Sequence, residues 1–98
     1  MAKANPVRLD DRLRRDERIP TGAIDDELMA LNPERGEVFG LDPIATRIYR
    51  DLDPEKSVDA LIADLVEAYD VDRATCERDT LALLDAMLEA GLVERVGP

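Results

Sequence analysis

The chain has no histidine and no tryptophan, one serine and one cysteine. Without histidine it lacks the commonest general base and the commonest metal ligand. Ser57, the lone serine, precedes an apolar helical stripe and suits a helix cap better than a nucleophile. Cys76 has no imidazole to activate it, and a single cysteine excludes an internal disulfide, which fits a reducing cytoplasm. The five glycines are scattered, so no phosphate-binding loop forms. No apolar run approaches the roughly 20 residues that span a bilayer, and no secretory signal opens the chain. Only Phe39, Tyr49 and Tyr69 are aromatic, so the core must come from Leu, Ile, Val, Met and Ala.

Charge is what the chain has in excess. Thirteen basic residues face 23 acidic ones, a net −10 over 98 residues. Residues 1–18 hold six basic and four acidic side chains (net +2), and residues 19–98 hold seven and nineteen (net −12). An acidic body repels phosphate, which argues against nucleic acid as a partner. The length allows one domain with a modest core and no deep catalytic cleft.

The polar, mixed-charge residues 1–18 read as a flexible tail, and 19–98 as the folded domain. Ile19 to Ile24 is a weak strand, limited by Pro20 and Gly22 to an edge or bulged role. Glu27 to Leu31 is a short apolar run, expected to be buried on both faces or nearly so. Asn32, Pro33 and Gly36 carry type I turn chemistry, and Glu37 to Leu41 returns as the partner strand. Asp42 and Pro43 start a helix with Ile44, Ile48 and Leu52 on its apolar stripe. Ser57 caps a second helix, with Val58, Leu61, Ile62, Leu65, Val66 and Tyr69 on one side. Asp72 caps a third, with Val71 and Cys76 at hydrophobic-staple positions, and Gly91 ends it. Leu92, Val93 and Val96 then fold back as an extended piece. The expected class is α+β: a winged helix-turn-helix-like domain with an N-terminal three-stranded antiparallel sheet followed by three helices.

No motif in this order is catalytic. Asp51, Asp53, Glu55, Ser57 and Asp59 alternate as calcium ligands do, but Lys56 stands where the loop needs glycine and Ile62 where it needs glutamate. Neither a metal nor a cofactor is expected. A winged-helix outline raises DNA binding, yet the would-be recognition helix opens with Asp72, Glu77 and Asp79 against Arg73 and Arg78, a poor platform for a phosphate backbone. An acidic regulator binding DNA or a transcription protein is the alternative class.

The specific lead is a strand edge beside a helix. Glu37, Val38, Phe39, Gly40 and Leu41 form the strand, and Gly40 admits a second backbone. On the third helix, with Leu84 at the core centre, Glu77, Thr80, Leu81 and Leu88 lie within about 60° at 100° per residue. Cys76, Leu83 and Met87 share one flank. That flank either lines a groove or packs the helix end, where Met87 would meet Leu92.

The stretch Leu31 to Leu52 (LNPERGEVFGLDPIATRIYRDL) resembles the PqqD-like family, peptide-recognition elements of ribosomally made, modified peptide pathways. So do Ser57 to Leu61, the Tyr69 to Asp72 junction, and Asp79 through Leu84 and Leu88 into Ala90 to Val93. The likeness spans about residues 19–96. It departs at Tyr49, where relatives often carry Trp. It implies a non-catalytic adaptor that binds the leader segment of a precursor peptide as an added strand. The implied groove lies between Glu37–Leu41 and Asp72–Ala90, with Glu37, Val38, Phe39, Gly40, Leu41, Cys76, Thr80, Leu83 and Met87 as candidate peptide-binding residues. It also implies a modifying enzyme as second partner, either a lasso-peptide protease and cyclase or a radical-SAM protein. No membrane partner is implied, and a homodimer through the open edge is the remaining expectation.

Overall fold

The computed structural model describes residues 5–97. In chain order the elements are β1 (Arg12–Arg15), β2 (Thr21–Ile24), β3 (Glu27–Asn32), β4 (Glu37–Gly40), α1 (Pro43–Asp51), β5 (Lys56–Ser57), α2 (Val58–Tyr69), α3 (Arg73–Glu89) and β6 (Val93–Arg95). Two three-stranded antiparallel sheets form, ordered β2-β3-β4 and β5-β1-β6. The first sheet and the three helices match the expected α+β arrangement. The second sheet does not follow from the expected flexible tail.

That tail is corrected by the structure. Leu13 is fully buried and Val7 nearly so. The β1 strand is the centre of its sheet, and the Val7 amide donates to Asp85 at 2.8 Å. Its arginines meet acids from the neighbouring segments: Arg12 with Glu55 at 3.1 Å, Arg14 with Glu94 at 2.7 Å, Arg15 with Asp53 at 3.0 Å. These pairs are half exposed and each stabilises little. Burial of Leu13 and the ladder hydrogen bonds hold the segment. Residues 1–4 of the expected tail lie outside the described residues.

Local chemistry sets the other boundaries. Asp42, Ser57 and Asp72 each accept from the amide three residues on, at Ala45, Ala60 and Thr75. The Thr75 amide and hydroxyl hold the Asp72 carboxyl below the usual range, so the α3 cap stays ionised. The Asn32 carbonyl accepts from the Arg35 amide, and Gly36 sits at φ +66°. At the far end of α3 the Leu92 amide donates to Met87 and the Gly91 amide to Leu88, with Gly91 at φ +79°. This is a Schellman ending, and Met87 and Leu92 are both buried at it.

Two expectations about faces need correcting. The β3 strand is buried on one side only: Leu28, Ala30 and Asn32 point inward, whereas Met29 is half buried and Leu31 exposed. Ile44, assigned to the core stripe of α1, is 49% exposed, because the helix start overhangs the α2–α3 turn.

Tyr49 is fully buried, and its hydroxyl has no hydrogen-bond partner among the described residues. The Arg15 guanidinium lies 5.9 Å from the ring centre. A buried hydroxyl without a partner costs about 1–3 kcal/mol. Tyr49→Phe is therefore expected to raise stability by about 1 kcal/mol in urea unfolding at neutral pH. Burial also pushes the phenol above its ordinary 10.0. The folded state thus holds this proton longer than the unfolded chain does. The associated stability is complete below pH 10.0 and is lost as pH rises beyond it, through the folded-state value. The Phe variant should lack that component of alkaline destabilisation.

Candidate functional site: an open strand edge along the third helix

The edge follows from the ladder register. The β4 strand has one neighbour, β3, and β1 pairs in the other sheet, so no described segment covers its far side. Leu41 donates to Leu28 at 2.8 Å. In an antiparallel pair hydrogen-bonded positions alternate. With Leu41 opposite Leu28 bonded, Phe39 opposite Ala30 and Glu37 opposite Asn32 are bonded too. Val38 and Gly40 therefore turn their N–H and C=O groups away from β3. The open edge offers two donors and two acceptors.

Thr46 closes the end of this ladder. Its hydroxyl accepts from the Leu28 amide at 3.0 Å and donates to the Leu41 carbonyl at 3.0 Å. It substitutes for the strand hydrogen bond that is lost where the chain peels off into α1.

Helix α3 runs antiparallel to β4. Near its C-terminus the Ala90 carbonyl accepts from Asn32, the residue paired with Glu37. Near its N-terminus Cys76 and Thr80 share a pocket with Ile44, four residues beyond Gly40. Residues 76, 80, 83, 87 and 90 form one stripe at helical spacing between these two points. Phe39 points inward from β4, half buried against the core, and Cys76 and Leu83 are half buried on α3.

The pocket at the Ile44 end has a volume of about 160 Å³ and is mainly apolar, lined by Ile44, Leu65, Tyr69, Val71, Cys76 and Thr80. Asp79 stands at its margin. Arg47 lies 5.6 Å from the Tyr69 ring centre and braces that wall. Such a pocket accepts one aliphatic or aromatic side chain.

The candidate residues divide accordingly. Glu37, Val38 and Gly40 are exposed on the edge, and Phe39, Cys76 and Leu83 are half buried. Leu41 (6% exposed), Thr80 (4%) and Met87 (2%) are core residues. Met87 is committed to the Schellman ending and leaves no side-chain surface for a guest. Thr80 reaches the pocket, with its hydroxyl 3.8 Å from the Cys76 sulfur. Ile44, Leu65, Tyr69 and Val71, absent from the sequence-level candidates, supply the rest of its apolar lining. Tyr69 and Val71 are the outlying apolar residues beside a helix end, a signal that could have marked them.

Residues 27–93 match the family model described as coenzyme PQQ synthesis protein D (PqqD). The chain belongs to the PqqD family. None of the curated proteins matches it. Among solved structures it is similar to TbiB1 in complex with the TbiA(beta) leader peptide, with 30% identity and a TM-score of 0.76, covering 87% of this chain and 99% of that one. It is also similar to lasso peptide synthetase B1 complexed with the leader peptide (28% identity, TM-score 0.72, 84% and 96% covered). The PqqD truncation of Methylobacterium extorquens PqqCD, a stand-alone recognition element, shares the fold at 24% identity and a TM-score of 0.75, with 91% and 95% covered. The family-model match covers β3, β4, β5 and all three helices.

Proposed function

We propose that this PqqD-family chain is a non-catalytic adaptor that captures the leader segment of a ribosomally made precursor peptide and presents it to a modifying enzyme. The observation that carries the reading is the uncovered β4 edge, with Val38 and Gly40 free to pair, running beside α3 into an apolar pocket. The guest adds as a fourth strand. Four main-chain hydrogen bonds contribute about 1 kcal/mol net each, which barely offsets the cost of ordering a flexible peptide. Apolar anchoring must supply the surplus, and burial of one large side chain adds about 1.5–3 kcal/mol. Phe39, Leu83 and the Ile44–Tyr69–Cys76 pocket are positioned for that.

The likeness to lasso peptide synthetase B1 complexed with the leader peptide favours a lasso-peptide protease and cyclase as the downstream enzymes over a radical-SAM protein. A reducing cytoplasm suits the free Cys76. The regulator alternative has little support, since the arginines of β1 are each tied to a carboxylate and offer no platform for phosphate.

The test is amide NMR of the isotope-labelled chain titrated with a peptide selected on it from a display library of random short peptides. Shifts should concentrate at Val38, Gly40, Leu83 and Cys76. Shifts confined to the β1 sheet would overturn strand capture at this edge.

A further inference from the structure

The outer face of the β2-β3-β4 sheet is uncovered and, apart from Glu27 opposite Ile24, apolar. Ile24 is 64% exposed, Val38 60% and Leu31 40%. Leu31 stands opposite Val38, and Met29 stands between Gly22 and Gly40. A side chain begun at Gly40 would have the Met29 sulfur 3.6 Å away. The Met29 thioether thus reaches across the bare backbone of Gly40 to the open edge. The groove reading does not use this face.

We propose that this face is a second side-chain-reading surface for the same peptide, so that the bound strand is read on both sides. The inference rests on strand capture at β4 and deepens it. Side chains of an added strand alternate between faces. Half would enter the groove toward α3. The others would stand on the outer face, one beside Val38 and one against the Met29 thioether over Gly40, within the cross-strand distance at which side chains stabilise each other.

Size decides between a peptide and a larger occupant. Three strands about 4.8 Å apart, a few residues long, offer an area on the order of 200 Å². A stable protein partner or second copy needs about 800 Å² per side. One more strand needs only the row beside the edge, and Val38 and Gly40 belong to both the pairing edge and this face. The substrate class is therefore an extended peptide with apolar side chains at adjacent positions, not only at alternate ones.

The test begins with the same display selection. Enrichment of apolar residues at neighbouring positions is expected. In fluorescence titration of the selected peptide, Met29→Ala and Val38→Thr should each weaken binding three- to tenfold, with unfolding curves little changed. Both variants keep every edge N–H. Replacing the peptide's outward residues by alanine should weaken binding similarly and abolish the effect of Met29→Ala. Enrichment at alternate positions only, or equal affinities for Met29→Ala and the parent chain, would overturn two-sided reading and leave the groove intact. If no peptide is enriched, strand capture itself fails with it.

Discussion

Replacing Val38 with proline is expected to lower affinity for the selected peptide at least tenfold while leaving thermal unfolding close to that of the parent chain. The asymmetry follows from register. The Val38 amide points to the open side, so proline there removes no hydrogen bond within the sheet. Proline is tolerated on an edge strand when its nitrogen faces out. The guest, however, loses a main-chain donor worth about 1 kcal/mol and meets the ring where its own backbone should approach. Together these amount to a factor of ten or more. Phe39→Pro is the internal control. Its amide pairs with β3, and its ring is half buried against the core. That variant should lose the hairpin itself, seen as a lower unfolding midpoint by circular dichroism. Native affinity in Val38→Pro would mean that the guest does not pair here.

The parts of this fold that were legible in the sequence depend on a few adjacent residues. Asp42, Ser57 and Asp72 cap helices through the amide three positions on, and Gly36 and Gly91 take left-handed backbone. Each needs only its neighbours. The β1 strand was hidden for the opposite reason: its partners are Lys56–Ser57 and Val93–Arg95, far along the chain. Its spaced Val7, Leu9 and Leu13 look like weak patterning until those partners are known. The apolar run of β3 concealed its open face because Met29 and Leu31 are as hydrophobic as the residues opposite them. Periodicity gives a direction around a helix but not what lies there, so whether Met87 is groove or core is decided by its 2% exposure in the fold. The pocket gathers α1, the end of α2 and the start of α3, a convergence that no single window contains.

The strand edge reads from sequence as a place; its distance from α3 depends on one side chain that reads only as a turn former. Asn32 is 5% exposed. Its Oδ1 accepts from the Glu34 amide at 3.1 Å, which shapes the turn, while its Nδ2 donates to the Ala90 carbonyl at 3.0 Å. One residue therefore ties the hairpin to the carbonyl of Ala90, the residue that caps the C-terminus of α3. Gly91 makes room for it: a β-carbon there would lie 2.9 Å from Nδ2. Asn32→Ala leaves a carbonyl and an amide short of partners, at a cost of about 1–3 kcal/mol. Gly91→Ala adds left-handed strain of about 1–2 kcal/mol and pushes against Asn32. The two costs share one contact, so the double variant should lose less stability than the sum of the single losses. Additive losses in urea unfolding would mean that the contact is not shared. Asn32→Ala should also weaken peptide binding several-fold, since the hairpin can then drift from α3, whereas Tyr49→Phe should leave binding unchanged. A destabilised Asn32→Ala chain that binds peptide at full strength would show that groove width is set elsewhere, by Phe39 and Thr46 at the other end of the strand.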